Sequence, residues 1–287
     1  LISGMSAVLS RDVSLDFGGD AIYPNMYIFL VGNPASRKST AVKGVRKLIQ
    51  TTGYAKFAPS KTSREKFLLD LEEGFEVINL HQAQKVSISD VISMEYSIQD
   101  LLNAPVNPVA PVHDVYICHE EIADFFGQNN SGFTTTLTAL YDNHDTYPER
   151  LKNSKSVNIL NPTVNILGAL TPSHFSTHLP PEIIGQGFLS RLILIYGIES
   201  ETKYTFPELP NPEMYNSFKK LILDMKSFKG QMKLTLGAKD SIDRIYKNYN
   251  QIPDVRFQYY TGRRLTHLLK LCITLAASKL TTEITKD

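Results

Sequence analysis

Met26-Tyr27-Ile28-Phe29-Leu30-Val31-Gly32-Asn33-Pro34-Ala35-Ser36-Arg37-Lys38-Ser39-Thr40 is the stretch whose reading decides the fold. Its apolar first half suits a buried strand, which stops at Gly32. A short loop then delivers Lys38, Ser39 and Thr40 to a helical stretch, Ala41 to Gln50. This is the layout of a phosphate-binding loop, G-x-x-x-x-G-K-[ST], with Arg37 in the place of the second Gly. The chemistry needs backbone N–H groups curled around a phosphate at a helix N-terminus, whose dipole favours anions. Lys38 would reach the β- and γ-phosphates, and the Ser39 hydroxyl would ligate Mg²⁺. Arg37 leaves two possibilities: a slightly wider loop, or an extra phosphate contact from the guanidinium. The alternative to the whole reading is an ordinary strand-to-helix turn with a surface lysine.

Length and composition are compatible with that reading. The chain has 287 residues, room for one large α/β domain plus a smaller helical one. Lys+Arg 30 against Asp+Glu 29 leaves a formal charge of +1, so any basic surface must be local. No apolar run approaches the about 20 residues of a membrane span, and Leu1 to Met5 lack the basic n-region of a signal peptide. The chain does not begin with Met, so a domain of a longer polypeptide is expected. Cys118 and Cys272 are far apart in apolar contexts, as buried thiols in a reducing cytoplasm would be. Without a CxxC or HxxxH cluster a zinc site is not expected.

The elements alternate along the chain as in an α/β protein. Residues 1–25 read as a helical lead-in with a loop at Gly18-Gly19-Asp20. After the loop and its helix come a short strand near Tyr54 to Ala58 and a helix from Ser63, a plausible N-cap, to Glu73. Residues 75–113, with a proline-rich run from Pro105 to Pro111, read as an insertion with a hairpin.

Asp114-Val115-Tyr116-Ile117-Cys118-His119-Glu120-Glu121 places acids at the end of a second core strand. A phosphoanhydride hydrolase needs one carboxylate to help hold Mg²⁺ and a neighbour to polarise water, beside the phosphate loop. His119 stands where an Asp would be usual, so Glu120 is assigned to the metal and Glu121 to the water, with the reverse also open. The alternative is two acids in a helix's first turn, favoured there by the dipole. A third strand, Thr163 to Leu170, ends at Thr171, which would either read the γ-phosphate or cap the helix after it.

Between these strands, Arg150, Lys152, Asn153 and Lys155 precede the alternating Val157-Asn158-Ile159-Leu160, suggesting a hairpin with a basic tip. Such a tip would track the phosphates of single-stranded DNA, or else be a solvated turn. Arg191, in Phe188-Leu189-Ser190-Arg191 before the apolar run Leu192 to Tyr196, is expected near a subunit surface. There it would act as a finger on a neighbour's γ-phosphate, or pair with an acid inside its own chain.

Together, Tyr23-Pro24-Asn25, Val31 to Thr40, Glu121 to Phe125, Asn161-Pro162-Thr163 with Ile166-Leu167-Gly168, and Gly187 to Arg191 resemble the helicase-type ATPase domain catalogued as domain of unknown function 3987. That domain occurs in phage, plasmid and mobile-element replication proteins, often behind a primase. The order of motifs is more distantly similar to superfamily 3 and minichromosome-maintenance helicases. In Arg263-Arg264-Leu265-Thr266-His267-Leu268-Leu269-Lys270, the spacing resembles the lid helix of the latter, and this gives Arg264 an ATP-contacting role with Arg263 as its rival. The alternative is an amphipathic helix with both arginines solvated.

The expected fold is therefore an α/β P-loop NTPase of the additional-strand (AAA+/RecA-like) class. Its parts would be a lead-in over 1–25, a core over 26–200 and a mainly helical C-terminal domain over 201–287, with helices at 211–228 and 238–250 around a strand from Met232 to Leu236. The resemblance implies a hexameric ring in a bacterial host's cytoplasm that hydrolyses ATP with Mg²⁺ and moves along single-stranded DNA, fused to or associated with a primase. A nucleotide-gated scaffold with little hydrolysis is the rival from another class. A P-loop kinase leaves the basic hairpin without a task.

Overall fold

The computed structural model describes residues 1–75, 112–127, 131–152, 155–178, 187–198, 205, 211–250, 252–254, 257 and 259–286. The elements run α1 (Ile2–Leu9), β1 (Val13–Phe17), β2 (Asp20–Ile22), β3 (Tyr27–Val31), α2 (Lys38–Gln50), α3 (Arg64–Glu73), β4 (Asp114–His119), α4 (Ile122–Phe126), α5 (Ser131–Tyr141), β5 (Thr146–Arg150), β6 (Ser156–Leu160), β7 (Thr163–Leu170) and α6 (Pro172–His178). A 3₁₀ turn, Leu189–Arg191, leads to β8 (Leu192–Tyr196), α7 (Pro212–Lys226), β9 (Gly230–Leu234), α8 (Leu236–Lys247), α9 (Tyr260–Ser278) and β10 (Glu283–Ile284). The expected insertion over 75–113 lies almost wholly outside the described residues.

The main sheet has the order β4-β7-β3-β8, and every pairing in it is parallel. Alternate side chains serve opposite faces, as the two-residue period of a strand requires. Tyr27, Phe29, Val115 and Ile117 pack with α3, α4, α5 and the β5–β6 hairpin. Met26, Ile28, Tyr116 and Cys118 pack with α1, α2, α7 and α9. A parallel sheet covered on both faces reads as continuous apolar runs, and all eight residues of β7 are buried. The strand expected at 54–58 is reduced to a bridge: Phe57 pairs with Tyr116 on the outer edge of β4, and Tyr116 N–H donates to the Lys56 carbonyl at 2.8 Å.

A second sheet, β10-β9-β1-β2, joins strands of the expected lead-in to strands of the expected C-terminal segment. β1 and β2 form a hairpin whose turn residues Gly18 and Gly19 have φ of 69° and 93°, the left-handed pair that suits the twist of a two-residue turn. β1 also pairs in parallel with β9, and β9 with β10. The lead-in is therefore part of the same packed layer as the C-terminal segment, which contributes strands as well as helices. Long-range pairing of this kind leaves no local signal.

Helix boundaries follow their caps. Ser63 Oγ accepts from Lys66 N–H, Asn211 Oδ1 from Glu213 N–H and Thr235 Oγ1 from Ala238 N–H, each satisfying an orphan donor of a first turn.

Gly168, in the middle of β7, shows how tightly α4 lies on the sheet. A Cβ there would meet Ile122 Cβ at 2.5 Å. Gly168→Ala is expected to lower the unfolding free energy by about 1–3 kcal/mol, the usual cost of overpacking. Urea denaturation checks this, and an unchanged midpoint would contradict the packing.

Candidate functional site

Three strand ends converge on one cleft of 480 Å³, lined by Pro34 to Thr40 after β3, Glu120 and Glu121 after β4, and Ala169 to Thr171 with His174 after β7. The cleft thus lies at the carboxyl ends of parallel strands, where α/β sheets present ligand sites.

The 32–40 loop closes on itself. Gly32 N–H donates to the Leu170 carbonyl at 3.2 Å, and a Cβ on Gly32 would meet the Gly197 carbonyl oxygen at 2.5 Å, so only glycine fits between β3 and the end of β8. Lys38 Nζ donates to the Asn33 carbonyl (2.7 Å) and to Ser36 Oγ (2.9 Å), folding over the loop it follows. Arg37 has φ 58° and ψ 19°. Of the two possibilities for this position, the wider loop is not what the backbone does: Arg37 adopts the left-handed conformation that a glycine takes easily. Helix α2 then begins with no acidic residue in its first turn and no side-chain cap. Its leading N–H groups are the unsatisfied donors that make a helix start attractive to anions.

Glu120 and His119 point to opposite faces, as neighbours along a strand should. His119 is buried, stacked on Phe125 with ring centroids 5.5 Å apart. Burial, with the charge of Arg46, pushes its imidazole down to about 4, so it stays neutral. It does not line the cleft. Glu120 turns to α2 instead, where its Oε2 lies 2.9 Å from Lys43 Nζ. Arg46, further along α2, donates to the Cys118 carbonyl at 2.8 Å and ties the end of β4 to that helix. Glu121 is exposed at the start of α4. The Ser39 hydroxyl and the carboxylate of Glu120 are hard oxygen donors of the kind Mg²⁺ takes alongside phosphate oxygens. The ammonium already on Glu120 marks a place for a cation, so the residues present fit this ion. Among the described residues no group of three or more His, Cys, Asp or Glu could hold a metal.

Thr171 lines the cleft and also caps α6, its Oγ1 accepting from His174 N–H at 3.3 Å. Both readings of this residue are therefore compatible with its position. His174 and Lys43 escaped the sequence reading. The signals available were spacing alone: His174 follows Thr171 by three residues, and Lys43 lies one helical turn beyond Ser39.

Arg191 and Arg264 do not line this cleft. Arg191 is 8% exposed, and its guanidinium bonds the Asp142 carboxylate and the Gly187 carbonyl (3.0 Å). The expected surface position is corrected: the arginine pairs with an acid inside its own chain. Arg263 reaches the same carboxylate at 2.9 Å. Burial alone would push the Asp142 carboxyl up, but Arg191 and Arg263 outweigh it and hold it below the ordinary aspartate value. Arg264 lies over the Tyr249 ring at 3.8 Å and donates to the Asn250 carbonyl.

The basic hairpin is present: β5 and β6 are antiparallel, with Arg150 opposite Ser156. Its base is held by Val157 and Ile159 in the core, by the Arg64–Glu149 pair and by Glu72, which accepts from Asn158 N–H at 2.6 Å. Arg150, Lys152 and Lys155 are exposed. Asn153 lies outside the described residues.

No protein-family model matches this chain, and no curated protein matches it. The helicase-type resemblance accordingly rests on the motifs themselves. Among the described residues no helix is long and apolar enough to cross a membrane.

Two outcomes follow from this geometry. Arg37→Gly is expected to raise stability by up to about 1 kcal/mol, the left-handed strain relieved less the entropy glycine adds; thermal unfolding measures it, and a loss of stability would mean that the side chain's contacts outweigh the strain. Asp142→Ala should cost about 3–5 kcal/mol by leaving Arg191 buried without its acid, whereas Asp142→Leu with Arg191→Met should cost less. Equal losses in the two variants would contradict the ion-pair account.

Proposed function

We propose that this chain is the ATP-hydrolysing motor domain of a DNA helicase or translocase, of the kind found in phage, plasmid and mobile-element replication proteins. The observation that carries the reading is the single cleft that gathers Lys38, Ser39, Glu120, Glu121 and Thr171 at the ends of three parallel strands. The strand order supports the additional-strand class of P-loop NTPases, because β7 is inserted between the loop-bearing β3 and the acid-bearing β4. In this reading the 32–40 backbone and Lys38 bind the β- and γ-phosphates of ATP, giving up the bonds to Asn33 and Ser36. Ser39 and Glu120 hold Mg²⁺, which when bound neutralises charge on the phosphate oxygens. Glu121 orients and polarises the attacking water, and Thr171 stands beside the terminal phosphate. Arg150, Lys152 and Lys155 on the hairpin follow the backbone of single-stranded DNA. A homo-oligomeric ring, an associated primase and a place in a bacterial host's cytoplasm belong to the same proposal.

One observation favours the second reading, a nucleotide-gated scaffold. Arg191 is engaged by Asp142 and is not held ready for a neighbouring subunit.

Steady-state hydrolysis with and without single-stranded DNA separates the two. The motor reading expects stimulation by DNA, loss of hydrolysis in Lys38→Ala, and a rate at least about 100-fold lower in Glu121→Gln with nucleotide still bound. Lys152→Ala with Lys155→Ala should reduce the slope of log affinity against log salt by about 1.4, two phosphate contacts at about 0.7 each. Hydrolysis that is indifferent to DNA, with an unchanged salt slope, would favour the scaffold.

A further inference from the structure

Lys43 has no place in the reading so far, yet it forms an ion pair with Glu120, which lines the cleft. It lies four residues after Ser39 on α2, so the two side chains share one side of the helix. Its ammonium stands 2.9 Å from the Glu120 carboxylate, which lines the same cleft as the Ser39 hydroxyl. The acid reaches that position because Tyr116, Cys118 and Glu120 alternate toward the α2 side of the sheet, and because Arg46 pins the Cys118 carbonyl to the helix.

We propose that Lys43 is a positioning residue that occupies Glu120 in the metal-free protein and must be displaced by the divalent cation, so that it sets the Mg²⁺ concentration at which nucleotide is held. This deepens the reading of the 32–40 loop as a nucleotide site and rests on it. Two cations compete for one carboxylate. The ammonium keeps Glu120 directed at α2 and neutralised until Mg²⁺ arrives with the phosphates, and then swings into solvent. The move is easy because the Lys43 side chain is 66% exposed. With Lys38 bonded to Asn33 and Ser36, both lysines of the free site are satisfied by the protein's own oxygens, and ligand binding releases both. Exposed ion pairs are weak, so the effect is a tuning of affinity, not a block.

The test is equilibrium binding of a fluorescent ADP titrated with Mg²⁺ at fixed nucleotide and constant ionic strength, read by fluorescence and not by turnover. Lys43→Gln should lower the half-saturating Mg²⁺ concentration about two- to fivefold, the range an exposed ion pair supports. Lys43→Arg should stay near wild type. Lys47→Gln, which removes the same charge one turn further along α2, should not shift the midpoint. In a Glu120→Gln background, Lys43→Gln should lose its effect. An unchanged or raised midpoint in Lys43→Gln, or an equal shift with and without Glu120, would overturn the inference while leaving the nucleotide site standing. Absence of any Mg²⁺-dependent binding to wild type would overturn both together.

Discussion

The pairing of β7 with two strands at once is the constraint on which the rest of the structure depends. β3 brings the 32–40 loop, β4 brings Glu120 and Glu121, and neither touches the other in the sheet. Because Thr163–Leu170 pairs in parallel with both, their carboxyl ends open on one cleft. The strand is buried along its whole length, and Gly168 lets α4 press against it where any side chain would hold the helix away. At the other end of β7, Asn165 Oδ1 accepts from Ser6 Oγ and from Met26 N–H, so the same strand fixes the start of β3 and the first helix.

A second polar knot lies beside this one. Lys270 of α9 is buried, donates to the Tyr23 carbonyl and to Asn25 Oδ1, and lies over the Tyr141 ring at 4.6 Å. Burial pushes its ammonium down to about 7. Next to it, Asp142 gathers Arg191 and Arg263, linking the entrance of β8 to α9. Buried polar groups with such partners fix one arrangement among several that apolar packing would allow. Here they set the C-terminal helix against the segment that leads into β3.

What the sequence made legible was periodic or contiguous. The apolar runs of β3, β4, β7 and β8 read directly, as did the strand-loop-helix around Lys38, the alternation of Val157 to Leu160 with its basic tip and the Ser63 cap. What it hid was carried by contacts between distant residues. Arg191 and Asp142 are 49 residues apart, and nothing in either neighbourhood announces that they meet. β1 falls within what reads as a helical lead-in, because what marks it as a strand lies in its partners β2 and β9. The acids after β4 were legible as a pair, but their separate orientations came only with the strand's register, which sends His119 into the core and Glu120 toward α2. Arg37 was visible as an oddity, and its backbone conformation follows from the tightness of the turn around it.

The place of β1 in the second sheet has a consequence for how the chain is made. β1 lies between β2 and β9, with Val13 to Leu15 opposite residues 230–232, so one edge of the β1–β2 hairpin stays bare until β9 has been made. A strand edge left open in this way is a template for pairing with another molecule, and contacts of such long sequence separation form late. Pieces cut before residue 230 would carry that exposed edge permanently. The β1–β2 ribbon is therefore made well before the strand that covers its open edge.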